Sequence, residues 1–330
     1  MSYDQKFLLQ AIELAESGLG STYPNPIVGA ILVDQGGEVI GKGFHSGGDH
    51  AEVVAMKSAT ASGQSLKGAT LYCSLEPCNH VGKTPPCAQA IIESGIQEVY
   101  FALSDPNPTA AGGAATLLQS GITVEGDLLT EDAIYSNRSW LTKIQHSRPR
   151  ITVKIAQSLD GRIAAADGRS KWITHERSRA HARELRNGFD AICIGAGTAV
   201  ADDPTLRGSS RYPKRFVIGE RELPALALDR EEGFEQLRTH DFLQVVSLLG
   251  DRGFNSVLIE GGATLASAAL HSGLVDEIHL YQAGSIIGSG KPSVDIPQFT
   301  SFSQQLHYEI TALSIIEGDI FAIYFKKDGN

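Results

Sequence analysis

The sequence lacks the features that mark membrane-spanning, secreted and nucleic-acid-binding chains. No stretch approaches the roughly 18 consecutive apolar residues of a transmembrane helix. The opening MSYDQKFLLQ has no basic segment running into an apolar one, so no secretory signal is expected. Without either, the expected location is the cytoplasm, with no membrane partner. Cysteine is scarce, at four residues in 330: Cys73, Cys78, Cys87 and Cys193. So few thiols in a cytoplasmic-looking chain point to metal binding or catalysis before disulfides. Positive charge is also short. Lys and Arg number 28 against 38 Asp and Glu, a formal charge of −10, and residues 1–150 alone hold 9 against 15. A basic footprint is missing from both halves, which argues against a nucleic-acid partner. No low-complexity tract occurs and 42% of residues are hydrophobic, which excludes a disordered or fibrous chain.

What is present is enough chain for about two domains at roughly 100–200 residues each. Phe7, Leu8, Ala11, Ile12 and Ala15 keep a helical period, stopped by Gly18 and Gly20. Strand-like runs at 27–33 and 38–43 follow, then a helix from His50 to about Ala61. Strand and helix signals alternate through 69–75, 87–94, 98–103, 113–120 and 122–126. Residues 130–150 turn polar and end in HSRPRI, which reads as an inter-domain connection. A second alternation begins at 151–157 and ends in two strand-like runs, 307–315 and 319–326, around the hairpin signal Glu317-Gly318. The pattern predicts two unrelated α/β domains, 1–147 and 148–330.

Chemistry concentrates first at His50-Ala51-Glu52 and at Pro77-Cys78, with Cys87 nine residues further on. One imidazole and two thiolates make three good zinc ligands and leave a fourth position for water. Bound zinc brings the pKa of water to about 7, and Glu52, two residues from the ligand, is placed to move protons without binding metal. His-x-Glu with Pro-Cys is the arrangement of nucleobase deaminases, in which hydroxide attacks an amine-bearing ring carbon. The competing reading is a closed structural zinc site with Cys73 or His80 as the fourth ligand. Cys73, in mid-strand, and Cys193, in AICIG, read as core residues.

In the second half, Gly195–Val200 reads as a tight strand-to-helix turn. Strand 256–259 runs into Glu260-Gly261-Gly262-Ala263-Thr264, where glycines admit close backbone approach and the free N–H groups of a helix start can take phosphate.

PNPIVG (24–29), HAE (50–52), LEPCNHVGKTPPC (75–87) and DPNP (105–108) together resemble the deaminase domain of the bifunctional enzymes of riboflavin biosynthesis. Eight residues between the cysteines fit this branch, whereas cytidine and tRNA-adenosine deaminases usually carry P-C-x-x-C. KIAQSLDGRIA (154–164), SKWIT (170–174), HARELR (181–186), DAICIGAGTAVADDPTL (190–206) and IEGGATLASAALHSGLVDEI (259–278) are similar to the reductase domain of the same family.

The resemblance implies a cytidine-deaminase-like three-layer domain followed by a dihydrofolate-reductase-like domain. It implies zinc on His50, Cys78 and Cys87, with Glu52 catalytic, and Asn25, His80 and Lys83 toward the substrate. It also implies NADPH against Ala156, Trp172, Thr198, Asp202, Gly262, Ala263 and Thr264. Lys154, Ser170, Arg186, Leu206 and Glu260 would line the substrate side, with Arg186 suited to a phosphate. The expected reactions are hydrolytic deamination of 2,5-diamino-6-ribosylamino-4(3H)-pyrimidinone 5′-phosphate, then NADPH-dependent reduction of the product's ribose to ribityl. Such enzymes often associate through the reductase-like sheet, which implies a homo-oligomer. Two departures stand out. An expected Thr-x-Arg after the leucine is Arg207-Gly208-Ser209, leaving Arg207 or Arg211 to compensate, and an expected Asp-Ser after strand 215–219 is Gly219-Glu220. The alternatives are a monofunctional deaminase with a decayed reductase half and a tRNA or nucleobase deaminase.

Overall fold

The computed structural model describes residues 3–80, 85–224 and 234–327. The chain divides into two compact units, Met1–His146 and Ser147–Asn330.

In the first unit, Asp4 opens α1 (Gln5–Ala15) by accepting the Lys6 N–H at 3.0 Å, the N-cap bond that satisfies a free helical donor. There follow β1 (Gly29–Val33), β2 (Val39–Phe44), α2 (Ala51–Ala61), β3 (Thr70–Cys73), α3 (Cys87–Ser94), β4 (Glu98–Phe101), α4 (Gly113–Gln119), β5 (Thr123–Glu125) and α5 (Thr130–His146). The strands lie in the order β2-β1-β3-β4-β5. β1 runs antiparallel to β2 and β3, while β3, β4 and β5 are parallel. Successive strand residues point to opposite faces. Ile31, Val33, Tyr72 and Tyr100 pack with α1 and α5; Ala30, Leu32, Leu71, Cys73, Val99 and Phe101 pack with α2, α3 and α4. Helices therefore cover both faces, giving the three layers expected of a deaminase-like domain.

The polar stretch 130–150 corrects the sequence reading, because most of it is the 17-residue helix α5 rather than a connection. Its inward stripe is Ala133, Ser136, Asn137, Trp140 and Leu141, all buried. Two of those positions are polar, so the apolar period is broken just where the helix meets the core. Asn137 is used there: its Oδ1 accepts the Ile27 N–H at 3.1 Å and ties the Asn25 loop to α5.

The second unit holds β6 (Arg150–Gln157), β7 (Arg162–Ala165), α6 (Glu176–Leu185), β8 (Ala191–Gly195), α7 (Ala196–Asp202), β9 (Lys214–Ile218) and β10 (Glu235–Leu237). It continues through α8 (Phe242–Asp251), β11 (Ser256–Glu260), α9 (Ala263–His271), β12 (Val275–Gln282), β13 (Gly290–Pro292), β14 (Tyr308–Ile316) and β15 (Asp319–Lys326). Its eight-stranded sheet runs β10-β9-β8-β11-β6-β12-β15-β14, parallel from β10 to β12 and closed by the antiparallel pair β15-β14. The short strands β7, β10 and β13 were not foreseen; β7 and β13 form a separate two-stranded ribbon. β11 is inserted between β8 and β6, and Val257, Leu258 and Ile259 are almost wholly buried there. This change of direction in the winding opens a crevice at the carboxyl ends of the parallel strands, where open α/β sheets bind ligands.

Candidate functional site

Two glycines set the first site. A Cβ at Gly41 or Gly43 of β2 would run into the Ala55 or Ala51 carbonyl oxygen, so α2 lies directly on the strand. His50 caps that helix in an extended conformation and turns its ring toward α3. Cys87 is the first residue of α3, and its backbone N–H donates to Cys78 Sγ at 3.4 Å. His50 Nδ1 stands 3.2 Å from Cys87 Sγ and 3.4 Å from Cys78 Sγ. Tetrahedral zinc, with bonds of about 2.3 Å to sulfur and about 2.0 Å to nitrogen, sets such donors about 3.5 Å apart. The donor set fits that ion.

Among the described residues no further His, Cys, Asp or Glu joins the cluster, whose ligand atoms lie within 4.8 Å of one another. Cys73 is buried in β3 outside it, and Cys193 is buried in β8; burial raises both thiols. The closed four-ligand alternative therefore finds no support. Hydrogen bonding from Cys87, joined by His50, draws Cys78 well below the usual thiol value against the opposing effect of burial, and Cys87 facing that sulfur is pushed up. His50 is raised, chiefly by its hydrogen bond to Cys78. Glu52 is 3% exposed in the first turn of α2, and burial raises it to about 6. A carboxyl that changes charge near neutrality is what a proton shuttle needs.

Asn25 lies on the exposed loop, its Nδ2 3.4 Å from His45 Nε2. His45 was not foreseen. It is buried at the end of β2, its ring is edge-on to His50 at 5.6 Å, and burial lowers its pKa. A second histidine five residues ahead of the first was the available signal. His80 is half-buried, with a buried Nδ1 that has no partner among the described residues. Lys83 falls outside the described residues.

In the second unit one cleft of about 2050 Å³ collects every residue assigned to NADPH or substrate in the reductase half. That is about twice the upper end of the range usual for small-molecule clefts, roughly 300–1,000 Å³. Lys154 and Ala156 come from β6, Ser170 and Trp172 from the segment before α6, and Arg186 from the turn after it. Thr198 and Asp202 belong to α7, Leu206 follows it, and Glu260, Gly262, Ala263 and Thr264 span the step from β11 into α9.

Arg186 Nε and Nη2 each donate to Glu260 at 2.8 Å, and Lys154 Nζ lies 3.4 Å from the same carboxylate. Burial opposes the charge on Glu260, but Lys154 and Arg186 outweigh it and hold the group at about 2. Arg186 Nη1 also donates to the Arg207 carbonyl at 2.9 Å. Three of its five donors are thus spent inside the protein, and the open phosphate fork expected from sequence is largely a structural clamp. Of the two arginines left to compensate, Arg207 lines the cleft and Arg211 does not.

Gly261, at φ +113°, makes the turn into α9; a Cβ there would sit 2.9 Å from Thr198 Cγ2. The Gly262 N–H donates to Thr198 Oγ1 at 3.1 Å, which ties the two turns together. The starts of α7 and α9 meet the cleft without side-chain caps, an arrangement that favours an anion. Trp172 is 68% exposed, with the Arg179 guanidinium 4.1 Å from its ring centroid. Gly219, Glu220 and Arg221 line the cleft beyond β9 and His240 lines it beyond β10; none of the four was predicted as a site residue.

Comparison with known proteins agrees with both halves. Residues 1–103 match the family model described as the cytidine and deoxycytidylate deaminase zinc-binding region, and residues 149–320 match the RibD C-terminal domain. The riboflavin biosynthesis protein RibD of Mycobacterium tuberculosis is 39% identical over 322 residues, covering 94% of each chain. That of Corynebacterium ammoniagenes is 44% identical over 287 residues, covering 82% of this chain and 83% of its own. A Thermotoga maritima crystal structure, described as a diaminohydroxyphosphoribosylaminopyrimidine deaminase/5-amino-6-(5-phosphoribosylamino)uracil reductase, superposes with a TM-score of 0.89. It is 32% identical in sequence, and the match covers 98% of both chains. Among the described residues no helix is long and apolar enough to cross a membrane. The presence of both halves favours two activities over a deaminase with a decayed partner. The chain belongs to the RibD family of bifunctional riboflavin-biosynthesis enzymes, which join a zinc-dependent deaminase to an NADPH-dependent reductase.

Proposed function

We propose that the first unit deaminates 2,5-diamino-6-ribosylamino-4(3H)-pyrimidinone 5′-phosphate and that the second reduces the ribose of the deaminated product to ribityl. The observation that carries the first half is the buried Glu52 beside a three-donor cluster that takes no fourth protein ligand among the described residues. His50, Cys78 and Cys87 hold the metal, which when bound supplies a Lewis acid that makes water nucleophilic near neutral pH. Glu52 takes a proton from the attacking water and returns one to the departing amino group. Asn25, His80 and Lys83 contact the substrate.

In the second unit, Ala156, Trp172, Thr198, Asp202, Gly262, Ala263 and Thr264 bind NADPH, which supplies the hydride. Lys154, Ser170, Arg186, Leu206 and Glu260 contact the substrate beside it. This enzyme carries positioning rather than a covalent nucleophile in either step. The domains are 1–147 and 148–330, and the enzyme acts in the cytoplasm as a homo-oligomer on a small molecule, without nucleic acid. The test measures ammonia release and NADPH oxidation separately, the second on the deaminated intermediate supplied directly. Ammonia release without NADPH oxidation would refute the reductase half, and the reverse would refute the deaminase half.

A further inference from the structure

Glu76 has no part in the chemistry above, yet it is 8% exposed and ionisable. Among the described residues its carboxylate meets no cation; it accepts three backbone N–H groups instead. Asp105 donates to Oε2 at 3.2 Å, and Gly112 and Ala114 donate to Oε1 at 3.1 and 3.0 Å. The last two open α4, so Glu76 caps from a distance a helix whose own N-cap residue, Gly112, has no side chain to offer. Parallel backbone bonds run alongside: Glu76 N–H to the Leu103 carbonyl and Asn79 N–H to the Ala110 carbonyl, each at 2.9 Å. Gly113 approaches the Pro77 carbonyl so closely that a Cβ would collide with it. Two segments are thereby joined, residues 76–80 with Cys78 and residues 103–114 with the DPNP turn. On its other side Cys78 is held by α3, through the Ala88 N–H on its carbonyl at 3.2 Å and the Cys87 N–H on its sulfur.

We propose that Glu76 is a positioning residue of the deaminase centre, the three N–H groups accepted by its carboxylate locking the Cys78 segment to the 103–114 wall so that Cys78 is presented at coordination distance. The proposal rests on Cys78 being a metal ligand. Gln in place of Glu76 keeps the shape but turns an NH₂ group toward backbone N–H groups that need an acceptor, so one or more of the three bonds is lost. Groups that orient ligands in this way typically change metal affinity or activity by about 10–100-fold when removed.

The experiment uses the full chain, loaded with Co²⁺ as a spectroscopic probe and separately with zinc. Glu76→Gln should shift the visible cobalt bands and speed zinc release to a chelator by about 10–100-fold. Deamination kcat should fall more than KM rises, while NADPH oxidation on the deaminated intermediate stays at the wild-type rate. Glu76→Asp, which keeps the charge on a shorter arm, should fall between the two in zinc release. Wild-type cobalt bands and release rates in both variants would overturn the proposal, even if thermal stability dropped. If the wild type itself failed to bind Co²⁺ or zinc, the ligand assignment would fall instead, a separate outcome.

Discussion

Replacing Glu260 with Gln probes the clamp that floors the reductase cleft. Glu260 is ordinarily a group of pKa near 4.5, and its buried pairing with Lys154 and Arg186 brings it to about 2. Two and a half units at about 1.4 kcal/mol each correspond to about 3–4 kcal/mol of stability. A depressed carboxyl pKa contributes its full stability above the unfolded value and loses it as pH falls through the folded one. The contribution is therefore whole at pH 7 and fades between about pH 4.5 and 2. Gln leaves two cations facing a neutral amide whose NH₂ opposes a guanidinium donor, so a loss of about 3–5 kcal/mol is expected at pH 7. A single melting temperature would mix two units. Hydrogen exchange read on peptides of β6 and β11 isolates the effect. Both strands should exchange faster in the variant at pH 7, with the gap from wild type narrowing below pH 4.5, while deamination is unchanged. A loss under about 1 kcal/mol at pH 7, or an undiminished gap toward pH 2, would refute the electrostatic reasoning and leave only shape. Removing Arg186 as well should cost less than the sum of the single changes, because no unpaired cation remains at that position.

Three further outcomes are expected. Glu52→Gln should retain zinc by elemental analysis yet cut deamination by about 10²–10⁴-fold, leaving reduction of the deaminated intermediate intact; zinc loss would make Glu52 a ligand. Cys78→Ser should bind less than one zinc per chain, and full occupancy would contradict the assignment. Gly43→Ala should push α2 off β2, destabilise the first unit by about 1–3 kcal/mol and weaken deamination, because the added methyl meets the Ala51 carbonyl and no flexible side chain; an unchanged rate and stability would show that the strand yields.

Much of this was legible in the sequence because the relevant signals are short and local. His50, Glu52, Cys78 and Cys87 stand beside element ends, and α3 begins at Cys87 and ends at Ser94, as its period predicted. The hairpin at Glu317-Gly318 has both residues at positive φ, as the dipeptide announced. What escaped depended on long-range partners. α5 hides its inward face behind Ser136 and Asn137, and Asn137 makes sense only once Ile27 lies beside it. Arg186 looked like a free anion ligand because Glu260, 74 residues away, cannot be seen as its partner along the chain. β7, β10 and β13 are three or four residues long, too short to establish a period.

The placement of β11 has a consequence for how the reductase unit assembles. β6 and β8 hydrogen-bond to β11 and not to each other, although β11 is made some hundred residues after β6. The same strand ends in Glu260 and feeds the turn at Gly261, so the element that completes the sheet also completes the cleft. Loop-closure entropy must be met before such distant pairings return any stability, which slows folding. As the chain leaves the ribosome, the first unit can consolidate while the second still waits for its central strand. A chain that ends before β11 lacks both the strand that joins β8 to β6 and the Glu260–Thr264 wall of the cleft, so competence for reduction is expected only after that strand is made.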